Sequence, residues 1–351
     1  IPDAQPKRWY DLSQRIVQRE NHFEEAALCF ATQFADAVKL CLRADVPVGT
    51  ALSGGLDSSS IVCEASAQLH QAGKAGQKSF SICSPIREYD ERQFMDIVTV
   101  ASKTEAHYHY PDSDTLLQVL PDLVWYQEEP FAGTSIFAEW EVYKLAKACG
   151  VKVTLDGHGA DEMLCGYHLF FWIHLNELLM QGRIDQWYTE VRALKQVHGY
   201  GLAEIIRTQL LMILPSQWVR PIRNLARNEQ AHAHLLACPA ADLRFNNDPQ
   251  ERLRSRLNNV RSESILQLTQ TSVPVQLHWA DRNSMAHSVE SRLPFLDYRL
   301  VEQVVFSESS HKLSGGVTKR LLRSGMSPRL PSKIVSRQDK LGFVTPEQIW
   351  L

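Results

Sequence analysis

The sequence predicts an α/β fold, in which a parallel sheet is followed by a helical C-terminal subdomain. Short apolar runs alternate with longer segments of helical periodicity from residue 24 to residue 155, a pattern typical of βαβ units. From Phe170 to about Glu302 the pattern is almost wholly helical. Two of the apolar runs are followed by a glycine-rich acidic turn. Parallel sheets bind ligands at this place, at the carboxyl ends of their strands.

Four strands and the helices between them can be placed along the chain. The apolar runs predict strands over residues 47–52, 79–83, 107–110 and 151–155. The spacing of apolar residues predicts helices over residues 24–43, 58–70, 89–104, 115–125 and 135–149. Because crossovers between parallel strands are right-handed, these helices are expected on both faces of the sheet.

The composition is that of an ordinary globular enzyme and argues against several other classes. The 351 residues carry a formal net charge of -3, so no basic field favours nucleic acid as a partner. No apolar run reaches the length of about 18 residues that a membrane span needs. The cysteines are scattered without a CxxC pair, and the polar N-terminal segment does not resemble a signal peptide. We therefore expect a cytoplasmic protein without a nucleic-acid or membrane partner.

The segment LSGGLDSSS, from Leu52 to Ser60, joins the first predicted strand to the next helix. Its glycines let the backbone approach a ligand closely, and its hydroxyls and the first N–H groups of the helix suit an anion. Ala51 stands where a nucleophile elbow needs glycine, and no Gly-Lys-Ser/Thr motif follows, so neither a serine hydrolase nor a Walker P-loop is indicated. A phosphate-binding loop and a plain helix cap by Asp57 or Ser58 both remain open.

A second segment of the same kind, DGHGADE, runs from Asp156 to Glu162 after the fourth predicted strand. The carboxyl ends of parallel strands lie at one edge of the sheet, so the two turns could face each other. Asp57 and Asp161 would then be placed to share a hard cation such as Mg2+, which takes carboxylate and phosphate oxygens as ligands. The pair of turns therefore favours a phosphate-binding site over two plain helix caps.

Five motifs, in chain order, resemble the synthetase domain of the asparagine synthetase family. SGGLDSS resembles the pyrophosphate loop of N-type ATP pyrophosphatases, and DGHGADEMLCGY resembles the S-G-x-G-x-D-E-x-x-G-G-Y segment of the asparagine synthetases. The other three are DRNSMAHSVESRLPFLDYRLVE from residue 281, GGVTKRLLR from residue 315 and RQDKLGFVTP from residue 337. The resemblance implies a parallel five-stranded sheet of the adenine nucleotide alpha hydrolase type, also called the PP-loop ATPase type.

ATP and Mg2+ are the cofactors that the resemblance implies. The nucleotide would contact the two turns and the end of the second strand, at Ser53, Gly54, Gly55, Asp57, Ser58, Ser59, Ser81, Ile82 and Gly157. Asp57 and Asp161 match the residues that hold Mg2+ on the pyrophosphate. Lys319 matches the family's catalytic lysine, with a plain surface lysine on a basic helix as the alternative. The implied catalytic residues are Lys319, Asp57, Asp161 and His158.

The acyl-substrate pocket is the second site that the resemblance implies. Its residues would be Asp156, His158, Glu162, Glu290 and Arg292. For Glu290 and Arg292, a structural ion pair is the alternative. Asparagine synthetases have serine at the position of Asp156 and glutamate at that of His158, so here a side chain that titrates near neutral pH replaces a carboxylate.

The implied activity is that of an ATP-dependent ligase that adenylates a carboxylate and forms an amide with release of AMP. In the asparagine synthetase type, L-aspartate, ATP and ammonia or glutamine give L-asparagine, AMP and pyrophosphate. Lasso-peptide cyclases and β-lactam synthetases are the alternative, with a small-molecule or peptide carboxylate and an amine as reactants. A nucleotide-binding relative without catalysis is a further alternative.

We expect one synthetase domain in two parts, preceded by a linker. Residues 1–23 resemble the segment that follows an N-terminal glutaminase domain, residues 24–170 are expected to form the PP-loop core, and residues 171–351 the helical part, with a truncated C-terminus. Glutamine hydrolysis in the family needs an N-terminal cysteine, whereas this chain starts with Ile1, so ammonia or an amine is the expected nitrogen donor. A glutaminase domain or subunit and a second copy in a homodimer are possible partners.

Overall fold

A sheet of five parallel strands lies at the centre of the computed structural model, which describes residues 7–15, 22–74, 76–131, 133–213, 259–338 and 345–350. Within these residues the strands are β1 (Val48–Ala51), β2 (Lys78–Ile82), β3 (Glu105–His109), β4 (Val153–Leu155) and β5 (Glu290–Arg292). Their order across the sheet is β3-β2-β1-β4-β5, and every neighbouring pair is parallel. The predicted α/β fold with a five-stranded parallel sheet is therefore confirmed.

Helices connect the strands and form the C-terminal part of the described chain. The first five are α1 (Phe23–Cys41), α2 (Leu56–Gln71), α3 (Arg92–Ser102), α4 (Ser113–Gln127) and α5 (Ser135–Ala148). After β4 come α6 (Ala160–Leu164), α7 (Leu169–Met180), α8 (Ile184–His198) and α9 (Leu202–Ile213). The later helices are α10 (Val260–Leu266), α11 (Val273–Ala286), α12 (Tyr298–Phe306), α13 (Ser309–Lys312), α14 (Arg320–Met326), α15 (Ser332–Val335) and α16 (Glu347–Trp350). The predicted strands, and the helices predicted before β4, agree with these bounds to within three residues.

Strand β5 corrects the prediction that residues 170–302 are almost wholly helical. It pairs in parallel with β4, and the backbone N–H of Glu290 donates to the carbonyl oxygen of Lys152 at 2.8 Å. A strand of three residues is too short to show a period of two, so its pairing is visible only in the tertiary structure. Residues 214–258 of the predicted helical stretch lie outside the described residues.

The chain changes its direction of travel across the sheet between β3 and β4. Strands β2 and β3 lie on one side of β1, whereas β4 and β5 lie on the other. Gly49 of β1 pairs with Lys78 of β2 and with Thr154 of β4. Such a switch point opens a crevice at the carboxyl ends of the strands, so the loops after β1 and β4 meet there.

Helices cover the sheet and bury its apolar side chains in separate clusters. In one cluster α1 and α2 pack with the C-terminal helices, and the rings of Phe34 and Phe295 stack with their centroids 4.8 Å apart. In another, Tyr143 of α5 packs against Phe80 of β2. A third cluster joins α7 and α8 to the residues before α14 through Leu313.

In the described part of the chain, no helix combines the length and the apolar character that crossing a bilayer requires. The predicted boundaries at residues 23 and 170 stay predictions.

Candidate active site

A cavity of about 480 Å³ lies at the switch point between β1 and β4. Three segments form much of its wall: the loop after β1, the loop after β4, and residues 316–319 before α14. Further lining residues come from α5, α7, α8, α11 and α14, and from residues 337–338. The volume falls within the range of about 300–1,000 Å³ that is typical of small-molecule sites.

The loop after β1 turns sharply because Gly54 has a φ of 78°, in the left-handed region. A Cβ atom on Gly54 would lie 2.9 Å from Cβ of Phe94, so a side chain does not fit there. Gly55 is the N-cap of α2 and offers no capping side chain, so neither Asp57 nor Ser58 is the plain cap considered above. The N–H groups at the start of α2 therefore suit an anion in the cavity.

The loop after β4 brings Asp161 to the cavity through a helix of five residues. Gly159, with a φ of 85°, precedes α6 and places Asp161 in its first turn. The backbone N–H of Gly166 then donates to the carbonyl oxygen of Asp161 at 2.8 Å. A Cβ atom on Gly166 would lie 1.7 Å from Oδ1 of Asp161 and 2.5 Å from Cε of Lys319. Glycine at this position is what lets those two side chains approach each other.

The ammonium group of Lys319 joins the two acidic turns. Its Nζ lies 2.5 Å from Oδ2 of Asp57 and 2.8 Å from Oδ1 of Asp161. Lys319 is only 6% exposed, so it is not a surface lysine, and its backbone N–H donates to the carbonyl oxygen of Leu164. Burial alone would lower the pKa of Lys319, but the carboxylates of Asp161 and Asp57 outweigh it and raise that pKa above its usual value. The lysine is therefore charged at neutral pH.

The two carboxylates fit one kind of metal site. Among the described residues, no group of three or more His, Cys, Asp or Glu side chains is arranged to hold a metal. Mg2+ usually keeps several waters and binds through one or two carboxylates together with substrate phosphates. Asp57 and Asp161 supply such a pair of oxygen ligands, and a cation already bridges them. The residues present therefore fit Mg2+ that arrives with a nucleotide.

His158 lines the cavity within a group of carboxylates. Its Nε2 lies 3.2 Å from Oε1 of Glu139, which α5 contributes. Burial lowers the pKa of His158, but the hydrogen bond to Glu139 and the charges of Glu139, Asp156 and Glu162 raise it overall to about 9. A pKa above neutral favours the protonated imidazole, which places a positive charge in the wall of the cavity.

Asp156 lies at the base of the cavity and is almost fully buried. Its Oδ2 accepts hydrogen bonds from the hydroxyls of Ser291 at 2.5 Å, Thr154 at 3.1 Å and Tyr143 at 3.1 Å. Burial raises the pKa of Asp156 above its usual value overall, although the hydrogen bonds from Ser291 and Thr154 and the charge of His158 act in the opposite direction. Asp156 is thus held in one orientation beside His158.

Glu162 is a buried carboxylate that orients two neighbours in the cavity wall. Its Oε1 accepts from the hydroxyls of Tyr167 and Ser272, both at 2.7 Å, and from Nε2 of Gln276 at 2.9 Å. Ser272 follows a π-helical turn, Gln267–Thr271, a feature often found at functional sites. Tyr167 and Gln276 both line the cavity, so Glu162 fixes the orientation of two polar groups in its wall.

Most of the residues predicted from the sequence meet in this cavity. The wall includes Ser53, Gly55, Asp57, Ser58, Asp156, Gly157, His158, Asp161, Glu162 and Lys319. Gly54 and Ser59 belong to the same segment but do not line it. Ser81 donates its hydroxyl to the carbonyl oxygen of Leu52 at 2.7 Å, and Ile82 lines a separate small pocket that shares Ser53 with the cavity.

Glu290 and Arg292 do not line the cavity, and the structure shows the ion pair considered as their alternative. Nε of Arg292 lies 2.7 Å from Oε1 of Glu290. Its Nη1 donates to the carbonyl oxygens of Cys41 and Arg43, both at 2.7 Å. Arg292 therefore ties strand β5 to the end of α1, and the ion pair of these two residues lies outside the cavity lining.

Glu139 and Arg337 are among the site residues to which the sequence analysis gave no role. Glu139 lies on α5 among other charged residues, and no local pattern links it to His158. Arg337 donates through Nη1 to the carbonyl oxygen of Gly54 at 3.1 Å and through Nη2 to Glu91 at 2.5 Å. Its guanidinium also lies 3.9 Å from the ring centroid of Phe94. The one available signal for Arg337 was its place in the last family-like motif.

Comparison with known proteins is consistent with this geometry. The family model described as asparagine synthase matches residues 30–351. The chain is 29% identical over 339 residues to asparagine synthetase [glutamine-hydrolyzing] 1 of Bacillus subtilis, covering 90% of this chain and 49% of the relative. It is 26% identical over 380 residues to the amidase chyE of Penicillium rubens, covering 98% of this chain and 56% of the relative. It is 23% identical over 348 residues to the amidase chry2 of Gibberella zeae, covering 90% of this chain and 51% of the relative. The chain thus spans about half the length of these relatives.

Proposed function

Because this chain belongs to the asparagine synthase family, we propose that it is the synthetase part of an ATP-dependent ligase that adenylates a carboxylate and converts it to an amide. One observation carries the proposal: the ammonium group of Lys319 lies between Asp57 and Asp161, at the crevice where β1 and β4 end. Adenylyl transfer needs positioning and charge neutralisation more than covalent help from the protein, and this group of residues is suited to both.

The first proposed step is attack by an oxygen of the substrate carboxylate on the α-phosphorus of ATP. A new P–O bond forms, the bond to the bridging oxygen of the β-phosphate breaks, and pyrophosphate leaves. Mg2+, held by Asp57 and Asp161, would neutralise charge on the pyrophosphate. Lys319 donates N–H groups to phosphate oxygens, and the N–H groups at the start of α2 bind the same anion.

In the second proposed step, a nitrogen nucleophile attacks the acyl carbon. The C–O bond to AMP breaks, AMP leaves, and the nitrogen gives up a proton to solvent as the amide forms. We place the acyl group beside His158 and Tyr167, which face the cavity. The positive charge of His158 suits an oxygen acceptor on the substrate. Glu139 holds the imidazole in place, and the charge of Asp156 favours its protonated form.

L-Aspartate is the first acid to test, with ammonia or glutamine as the nitrogen source and L-asparagine as the product. An amide-forming cyclase is the second candidate, because Phe171 of α7 and His198 of α8 also line the cavity and could contact a longer substrate. The two activities differ in their need for an added nitrogen source. A cyclase joins two groups of one substrate and therefore requires no added ammonia.

Exchange of labelled pyrophosphate into ATP tests adenylation directly. The protein is incubated with ATP, MgCl2 and one acid at a time, from L-aspartate to amino-acid derivatives and peptides that carry an acidic side chain. We expect exchange that depends on both the acid and Mg2+. Binding of ATP without exchange for any acid would overturn the ligase proposal in favour of a nucleotide-binding relative without catalysis.

The nitrogen donor is tested in a second assay with the activating acid. Amide formation is measured with ammonium chloride, with glutamine and with neither, and glutamate release is measured in parallel. We expect product with ammonium chloride. Product with neither nitrogen source would favour the cyclase, and strong glutamate release would contradict the expected donor.

A further inference from the structure

Glu190 is a buried carboxylate that the proposed mechanism does not use. It lies on α8 and is 8% exposed. Its Oε1 accepts from the hydroxyl of Ser314 at 2.6 Å, and both of its oxygens accept from the backbone N–H of Gly315, at 3.0 and 2.8 Å. A buried carboxylate is costly unless it is hydrogen-bonded, and bonds to a charged acceptor are stronger than neutral ones. Helix α8 therefore holds this one turn of the chain firmly.

The turn that Glu190 holds has a defined shape. The backbone N–H of Ser314 donates to the carbonyl oxygen of Val317, and that of Val317 donates to the carbonyl oxygen of Ser314, both at 3.1 Å. The two central residues, Gly315 and Gly316, have φ values of 64° and 73°. Two successive left-handed residues between a reciprocally bonded pair form a type I′ turn, which glycine favours. Lys319 follows this turn by two residues.

Helix α8 contacts the same turn a second time, through its last residue. Nε2 of His198 donates to the carbonyl oxygen of Gly316 at 2.8 Å. A Cβ atom on Gly316 would lie 3.2 Å from Cβ of Val197, so the turn lies directly on the helix. On the other side, the backbone N–H of Lys319 donates to Leu164 at the end of α6. The segment is therefore fixed at both ends, by α8 before Lys319 and by α6 at Lys319.

We propose that Glu190 is a positioning residue, which sets the place of the Lys319 ammonium by fixing the turn before it. The proposal rests on the function proposed above. Glu190 does not line the cavity, so it acts through the turn and not on the substrate. Adenylyl transfer requires the cation and the phosphate in a narrow geometry, and small displacements of a reacting group reduce the rate strongly. Helix α8 is thus part of the active site although its carboxylate touches no reacting atom.

Kinetics of pyrophosphate exchange test this role with matched variants. Glu190→Ala removes the contact to the turn, and Glu190→Gln keeps an oxygen acceptor. Glu177→Ala is the control. Glu177 of α7 also accepts hydrogen bonds from a serine hydroxyl and a backbone N–H, those of Ser309 at 2.9 Å and Val260 at 3.4 Å. It does not contact the turn before Lys319. We expect Glu190→Ala to lower kcat about 10²-fold with an unchanged KM for ATP. Glu190→Gln should recover part of that loss, and Glu177→Ala should retain the wild-type kcat.

Amide hydrogen exchange of the intact chain tests the same inference without any activity. In Glu190→Ala, the amides of residues 315–319 should exchange faster than in the wild type, while those of β1 and β4 stay unchanged. Equal exchange in the two proteins, or an equal loss of kcat in Glu177→Ala, would overturn the proposal. If the wild-type protein exchanges no pyrophosphate with any acid, the proposed function fails, and amide exchange still decides whether Glu190 fixes the turn.

Discussion

Nζ of Lys319 lies 2.5 Å from Oδ2 of Asp57, although 262 residues separate the two along the chain. The contact forms because α2 and α14 both begin at the carboxyl-end edge of the sheet, one after β1 and the other after the turn held by α8. Opposite charges at this distance inside a protein attract strongly, which explains why the lysine stays charged despite its burial.

Lys319→Met should remove the cation while keeping much of the side-chain volume. We expect kcat for pyrophosphate exchange to fall by about 10²–10³-fold, as for the loss of one preorganised electrostatic donor. Lys312→Met is the matched control, because Lys312 is also fully buried but donates to the carbonyl oxygen of Val305 and does not line the cavity. A similar loss of kcat in both variants would point to stability and not to Lys319.

Asp57→Ala and Asp161→Ala should each abolish adenylation through loss of the proposed Mg2+ ligands. Both variants are assayed over a wide range of MgCl2 concentration, because a weakened metal site shifts the dependence to higher Mg2+ before activity disappears. Asp36→Ala serves as the control, since Asp36 pairs with Arg299 on the surface at 2.8 Å. Wild-type exchange in either Asp57→Ala or Asp161→Ala would refute the metal assignment.

Gly166→Ala should separate Asp161 from Lys319 without changing any charge. The added Cβ would lie 1.7 Å from Oδ1 of Asp161, so at least one of the two side chains must move. We expect kcat for pyrophosphate exchange to fall about 10²-fold. Far-UV circular dichroism of the same variant checks that it is folded. Gly201→Ala is the control, because a Cβ there meets no atom within 4 Å. Unchanged kcat in Gly166→Ala would show that the close approach is not needed.

Arg337→Ala should weaken nucleotide binding by releasing the loop at Gly54. We expect KM for ATP to rise roughly tenfold or more, since a hydrogen bond to a charged group contributes about 1.5–3 kcal/mol. Arg329→Ala is the comparison, because Arg329 also pairs with a carboxylate, that of Glu64 at 2.7 Å, but lies outside the cavity. An equal rise in KM for both variants would contradict a specific role of Arg337 at the loop.

The stability that His158 contributes should depend on pH. Its pKa is about 9 in the folded protein against 6.5 as the ordinary value, so the folded chain binds this proton more tightly than the unfolded chain. The stabilisation is therefore complete below pH 6.5 and is lost as pH rises through about 9. Urea denaturation of the wild type and His158→Gln across this range measures the difference. A difference in unfolding free energy that does not change with pH would contradict a raised pKa.

His158→Glu is expected to change which acid is activated more than how tightly ATP binds. The new carboxylate would stand beside Glu139, Asp156 and Glu162, where like charges repel. Pyrophosphate exchange is measured over the panel of acids, and ATP binding by calorimetry. An unchanged acid profile with weakened ATP binding would place His158 at the nucleotide.

The sequence alone determined the elements whose signals are local. Apolar runs of four to six residues and the glycine-rich turns after them located β1, β4 and the two acidic loops, because strand propensity, helix starts and left-handed glycines each depend on a few neighbouring residues. The same turns correctly singled out Asp57 and Asp161 as neighbours in one cavity. Family-like motifs then pointed to Lys319, at a position that local patterns alone would have left on a basic helix.

Only the tertiary structure decided which distant side chains meet. Strand β5 has three residues and no period of its own, so its pairing with β4 decides both its conformation and the ion pair of Glu290 and Arg292. Glu139 meets His158 because α5 packs against the sheet beside the β4 loop, and Glu190 of α8 acts on Lys319 through the turn of residues 314–317 that precedes α14. Such contacts join residues far apart in the chain, and their energy comes from burial and charge in three dimensions, which no local spacing encodes.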